Sequence, residues 1–71
     1  MERIGEKLHT LRARHGYTAR ELGALLTVSH THILRMEKGE TGPSASLILK
    51  ISQLFNISAD KLLRDDLELD E

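Results

Sequence analysis

Cysteine is absent from this 71-residue sequence, which also lacks tryptophan and has one proline and only two aromatic residues. Without cysteine, disulfides and zinc–thiolate sites are excluded, and a reducing compartment suits the chain. No run of apolar residues is longer than three, which is too short for a membrane-spanning helix or the hydrophobic segment of a signal peptide. We therefore expect a cytoplasmic protein that does not associate with membranes.

The charges are unevenly distributed along a chain that is long enough for one domain at most. Residues 1–64 contain all ten Lys and Arg residues and six acids, whereas residues 65–71 contain five acids and no base. This division predicts a polyanion-binding domain over residues 1–64 and an acidic C-terminal tail over residues 65–71. Small domains also carry uneven charge without any such function, so the charge alone leaves both interpretations open.

Apolar residues recur at helical spacing, and the alternation typical of strands is absent. Ile4, Leu8 and Leu11 predict a first helix, which should end at Gly16. The sequence TARE then predicts a capping box that begins a second helix. Serine N-caps indicate the starts of three further helices, over roughly residues 30–38, 45–55 and 59–63; these caps are Ser29, Ser44 and Ser58. The fold class is therefore all-α, with five short helices.

The second and third predicted helices are joined by about three residues, so they must cross steeply. Gly23 lies inside the second helix, where glycine costs about 1 kcal/mol relative to alanine. A close approach of the two helices at Gly23 explains this residue, and the geometry is that of a helix-turn-helix.

The spacing of many positions together resembles the Xre/Cro-type, lambda-repressor-like family of helix-turn-helix domains. The resemblance covers about 60 residues and is carried by the segments LRARHGYTARELGALLTVSHTHILRMEKGETGPS and LILKISQLFNISADKLL. It implies a compact five-helix domain whose third helix enters the major groove of DNA, usually as a homodimer on a two-fold operator. It also implies that Arg12 pairs with Glu37 as a structural brace.

Two positions depart from the family pattern. Ala19 stands where the family often has a glutamine that contacts phosphate, which leaves Arg20 as a candidate substitute. Thr27 stands where the turn usually has glycine. Thr27 is strained if its backbone is left-handed, because β-branched residues resist a positive φ; otherwise the turn itself is altered.

The segment TVSHTHILRMEKG concentrates histidines and hydroxyls, but its spacing does not suit a metal or catalytic site. His30 and His32 point about 200° apart on a regular helix and cannot chelate one ion together. A zinc site needs three or four converging ligands, and no nucleophile has an activating partner at a known spacing. We therefore expect neither enzymatic activity nor a metal, and no cofactor.

The first turn of a recognition helix is the part that reaches base edges. With Ile33 and Met36 facing inward, the outer side chains predicted to contact bases are His30, Thr31, Leu34 and Arg35. The residues predicted to contact phosphates are Arg14, Thr18, Arg20, Ser29, His32, Lys38 and Thr41. Four of these residues also have a simpler interpretation. Arg35 would form only a surface ion pair, and Leu34 would only pack against its neighbours. Ser29 would act only as a helix cap, and His32 would lie against the second helix.

The fourth predicted helix has more apolar residues than one face requires. Ile48, Ile51 and Phe55 fit the core, and the surplus leucines predict a homodimer interface; these are Leu47, Leu54, Leu63 and Leu67. A wider core with a loosely attached tail is the alternative.

These observations predict a sequence-specific regulator that binds double-stranded DNA as a homodimer and represses transcription from a two-fold operator. The alternative is an antitoxin or other protein-interaction module with the same fold, whose partner would be a protein. A third interpretation is the N-terminal DNA-binding domain of a longer regulator.

Overall fold

The computed structural model describes residues 2–70, and these residues form five α-helices and no strand. The helices are α1 (Ile4–Arg14), α2 (Ala19–Leu26), α3 (His30–Glu37), α4 (Ala45–Phe55) and α5 (Ala59–Leu63). The all-α, five-helix prediction is confirmed. Residues 1 and 71, which begin the predicted domain and end the predicted tail, lie outside the described residues. None of the described helices is long and apolar enough to cross a membrane.

The predicted helix caps are present. Thr18 and Glu21 form a reciprocal capping box at the start of α2, in which each side chain bonds the backbone N–H of the other residue. The hydroxyls of Ser29, Ser44 and Ser58 each accept a backbone N–H three residues later. Because these caps satisfy N–H groups that have no partner inside a helix, the helix starts follow from local sequence.

The turn between α2 and α3 brings the two helices into contact at Gly23. A Cβ atom at this position would lie 2.6 Å from the carbonyl oxygen of Val28, so only glycine fits without a shift. Thr27 ends α2 in the left-handed conformation, with φ 63° and ψ 42°. The turn therefore keeps left-handed geometry at Thr27 despite its branched side chain, and this sets the angle at which α3 leaves.

The core lies where α1 packs on α3 and α5, and where α2 packs on α3 and α4. Leu22, Ile33, Ile51 and Leu62 are fully buried at its centre. Leu47 is also buried in this core, which corrects its assignment to a surplus apolar surface. The exposed leucine of α4 is instead Leu49, which is 59% exposed. The start of α4 is turned so that Leu47, rather than Leu49, faces the core.

Residues 65–70, which we call the strap, lie against α1. The Asp65 carboxylate accepts the backbone N–H groups of Glu2 and Arg3 at 3.0 and 2.9 Å. In return, the buried ammonium of Lys7 donates to the carbonyl oxygens of Lys61, Arg64 and Leu67 at 2.5–2.7 Å. These bonds satisfy backbone groups at the start of α1, at the end of α5 and in the strap.

Candidate nucleic-acid interface

One side of α3 faces outward along its whole length. Thr31, Leu34, Arg35 and Lys38 are exposed and form what we call the outer stripe, whereas Ile33 and Met36 anchor the opposite side in the core. Leu34 is 38% exposed although it is a large apolar residue. The outer stripe therefore combines two cations, a hydroxyl and an apolar side chain on one surface.

His30, the remaining residue predicted to contact bases, lies at the edge of this surface. It is the first residue of α3 and is half-buried. His32 is also half-buried, on the other edge of the helix. These two side chains lie on opposite sides of the outer stripe, as their separation in sequence predicts.

Arg35 has one partner among the described residues, the exposed Glu40. Its Nε lies 3.8 Å from Oε1 of Glu40, and both side chains are more than half exposed. An ion pair of this length and exposure is weak. Arg35 can therefore leave Glu40 for a stronger acceptor without a large loss.

The C-terminal end of α3 is tied to α1 through Glu37. Arg12 donates from Nε to Oε2 of Glu37 at 2.6 Å and from Nη2 to Oε1 at 2.9 Å, and it donates from Nη1 to the carbonyl of Tyr17 at 3.1 Å. Planar, two-point pairing of this kind fixes orientation as well as distance. The brace implied by the family resemblance is therefore present in the structure.

His9 completes this contact, and sequence reasoning missed it. Its Nδ1 lies 3.0 Å from Oε1 of Glu37, with His9 on the exposed side of the carboxylate. Burial by itself raises the pKa of Glu37, but the hydrogen bonds and charges of Arg12 and His9 outweigh burial, so the pKa is lowered. The sequence feature that indicates this contact is helical spacing: Gly5, His9 and Arg12 lie at i, i+4 and i+7 on one side of α1.

Most residues predicted to contact phosphates lie on α2, on α3 or just after α3. Thr18, Arg20, Ser29 and Lys38 are exposed at the ends of α2 and α3, and Thr41 follows α3 half-buried. The hydroxyls of Thr18 and Ser29 already accept backbone N–H groups. A hydroxyl that accepts still has its own proton to donate, so capping leaves both able to bond a phosphate oxygen.

Arg14 lies elsewhere. Its guanidinium donates to both oxygens of Asp70 in the strap at 2.8 Å, on the side of α1 that faces away from α3. Arg14 is therefore separated from the outer stripe and paired within the chain, which the sequence alone does not show because it does not reveal that the acidic tail returns to α1. Its predicted contact with phosphates stays a prediction.

The surplus leucines are only partly accessible. Leu54, Leu63 and Leu67 are half-buried, and Leu54 packs against the core cluster. With Leu47 in the core, the accessible apolar surface on α4 belongs mainly to Leu49.

Comparison with known proteins places these features in a family. A family model described as helix-turn-helix matches residues 8–62. The chain is 32% identical over 63 residues to the HTH-type transcriptional regulator ImmR of Bacillus subtilis (strain 168), an alignment that covers 89% of the chain and 50% of ImmR. It therefore spans half the length of that relative.

Two further similarities extend over most of both partners. An uncharacterized HTH-type transcriptional regulator of Archaeoglobus fulgidus is 36% identical over 64 residues, which cover 89% of this chain and 91% of the relative. The structure of the P22 c2 repressor protein in complex with a synthetic operator matches with a TM-score of 0.82 and 30% identity, over 89% of this chain and 96% of the repressor chain. With its five helices and the contact between α2 and α3, the chain belongs to the Xre-type, lambda-repressor-like helix-turn-helix family.

Proposed function

We propose that this chain is a transcriptional regulator that binds double-stranded DNA in a sequence-specific manner. The observation that carries the proposal is the outer stripe of α3, whose exposed Thr31, Leu34 and Arg35 lie opposite a buried anchor. Arginine can bond guanine through O6 and N7, and apolar atoms can contact the thymine methyl group. The P22 c2 repressor, which is similar in structure, is bound to an operator, which supports this use of the surface.

Phosphate contacts set the affinity and orientation in this proposal. Arg20 supplies charge from the start of α2 and Lys38 from the C-terminal end of the outer stripe, and Thr18, Ser29 and Thr41 supply hydroxyls; His32 lies at one edge of the stripe. Such contacts position a protein on the duplex but carry no sequence information directly. His30 reaches a base edge from the first turn, where recognition helices make their contacts.

We further propose that the chain is cytoplasmic and acts as a repressor by occupying a two-fold operator as a homodimer. The apolar contact between copies would use Leu54, Leu63 and Leu67, with the exposed Leu49 added by the structure. Sedimentation of the wild-type chain and of the variants Leu49→Gln and Leu63→Gln tests which of these residues contribute to the dimer. A wild-type chain that stays monomeric at all concentrations would contradict the homodimer.

Selection of bound duplexes from a random library at physiological salt tests the function directly. We expect an inverted repeat to be enriched, because a two-fold dimer presents two copies of α3 to two half-sites. Enrichment of a single, unrepeated half-site would retain sequence recognition and contradict the dimer. No enrichment at all would contradict the function and favour a protein-interaction module.

A further inference from the structure

The side of α1 opposite the brace carries three cations that the proposed DNA contacts do not use. Arg3, Lys7 and Arg14 follow at i, i+4 and i+11, which places them on one side of the helix. We call this surface the basic flank. At 1.5 Å per residue, Arg3 and Arg14 are separated by about 16 Å along the helix, close to the rise of five base pairs along one DNA strand.

The strap supplies anions to both ends of the basic flank. Arg3 donates to the two carboxylate oxygens of Glu68 at 2.9 and 3.0 Å, and its Nη2 also donates to Oε1 of Glu6 on α1 at 3.2 Å. Arg14 donates to the two carboxylate oxygens of Asp70 at 2.8 Å each. The same two-point arrangement is used by arginine to bind a phosphate group. Both carboxylates are therefore held as phosphates would be held.

These pairs are accessible to competing anions. The side chains of Glu68 and Asp70 are 60% and 74% exposed, and those of Arg3 and Arg14 are 31% and 46% exposed. Exposed pairs are weak and screened by salt. Lys7 differs, because it is buried and bonded to three carbonyls of the α5 end and the strap. The strap can thus stay attached at Lys7 and Asp65 while its outer carboxylates exchange.

We propose that the basic flank is a second surface for the phosphate backbone of nucleic acid, independent of sequence, and that the strap occupies it in cis. The carboxylates of Glu68 and Asp70 take the places of two phosphates. With these cations neutralised, the exposed positive charge of Arg20 on α2 and of Arg35 and Lys38 in the outer stripe determines where a duplex docks. The strap therefore favours the orientation in which α3 enters the groove and disfavours docking on α1.

Isosteric removal of the two charges tests this proposal in the full chain. The double variant Glu68→Gln, Asp70→Asn keeps Asp65, Lys7 and Leu69, which hold the strap independently. We measure binding to a 20-base-pair duplex of arbitrary sequence between roughly 50 and 300 mM salt. For Arg14, which loses Asp70, the slope of log affinity against log salt should become steeper by about 0.9, and affinity at 0.1 M salt should rise up to about eightfold. The change for Arg3 should be smaller, because Glu6 still accepts a hydrogen bond from it.

Three controls isolate the basic flank. Asp60→Asn changes the net charge by the same amount as each single variant, in an exposed residue of α5 outside the strap, and should leave the slope unchanged. Arg3→Gln with Arg14→Gln, added to the double variant, should abolish the gain. Adding Arg35→Ala to the double variant instead should retain the gain, because Arg35 belongs to α3 and not to the basic flank. A melting temperature equal to that of the wild type verifies that the double variant is folded. If its melting temperature is lower, the two single variants are measured in its place.

Equal salt slopes for the wild type and the double variant would overturn the proposal. A double variant that gains affinity for polyglutamate but none for the duplex would also overturn it, because the flank would then suit an acidic protein segment. Failure of the operator selection would leave this result unaffected, since the measurement uses a duplex of arbitrary sequence.

Discussion

Glu37, the last residue of α3, is bound at both carboxylate oxygens by Arg12 of α1, at 2.6 and 2.9 Å. The glutamate side chain is only 7% exposed, so the pair is largely withdrawn from water. The two residues thereby fix the C-terminal end of α3 against α1. The presentation of the outer stripe depends on this contact as well as on the apolar core.

Replacing Glu37 by Gln removes the charge but keeps the shape. We expect the free energy of unfolding to fall by about 1–3 kcal/mol, because the Arg12 guanidinium loses its charged acceptor. Urea denaturation at pH 7 measures this change. Glu40→Gln is the matched control, since Glu40 makes only the weak, exposed contact with Arg35, and it should alter stability little. Equal losses for both variants would contradict a special role for the brace.

Replacing Arg35 by Ala should relax discrimination at one base pair of the selected operator. The expected loss of discrimination is about 1–3 kcal/mol, because the proposed two-point contact with guanine is removed. Binding to the operator and to single-base variants of it measures the effect. Lys38→Ala provides the comparison and should weaken all duplexes to a similar extent. If Arg35→Ala did the same, Arg35 would be a phosphate contact.

Replacing Thr27 by Gly should stabilise the fold. Thr27 is exposed and has φ 63°, a conformation that costs a residue with a Cβ roughly 1–2 kcal/mol; glycine offsets part of this gain by its greater freedom when unfolded. We expect a net increase of about 1 kcal/mol in chemical denaturation. Asn56→Gly, at the left-handed end of α4 with φ 52°, should gain less, because asparagine tolerates this region. A loss of stability in Thr27→Gly would show that its side chain contributes otherwise.

Asp65 should make the fold sensitive to acid. Hydrogen bonds from the backbone N–H groups of Arg3 and Glu2 lower the pKa of Asp65 from 3.8 to about 2. Because the folded pKa is lowered, the stabilisation is present above the unfolded pKa near 4 and is lost as pH falls through 2. Asp65→Asn should reduce stability at pH 7 and flatten the pH dependence between pH 4 and 2, measured by thermal unfolding. Asp60→Asn should leave that dependence unchanged; a wild-type pH profile in Asp65→Asn would refute the assignment.

The features that the sequence predicted are those determined by local chemistry. The caps at Thr18, Ser29, Ser44 and Ser58 depend on contacts three residues apart, and the close approach at Gly23 depends on one short turn. The exposed positions of Thr31, Leu34 and Arg35 followed from helical period and an apolar anchor. Their contacts with bases remain a proposal, since exposure alone does not identify a ligand.

The features that the sequence did not predict depend on distant pairing. Lys7 is buried although lysine seldom is, because its three acceptors come from residues more than fifty positions away. The pairing of Arg14 with Asp70 was not predicted for the same reason, because the two residues are 56 positions apart. Leu47 and Leu49 differ by two positions in a continuous apolar run, and only the packing of α4 decides which is buried.

The reciprocal contacts of Asp65 and Lys7 have a consequence for chain connectivity. Residues 2 and 65 are within hydrogen-bonding distance, so the start of α1 lies beside the start of the strap. A circular permutant that joins residue 70 to residue 2 through a glycine linker long enough to run back along α1 from Arg14 to Arg3, and opens between residues 40 and 43, should still assemble the same five helices. In such a molecule the order of the helices along the polypeptide would change, while the surface offered by α3 would stay as it is.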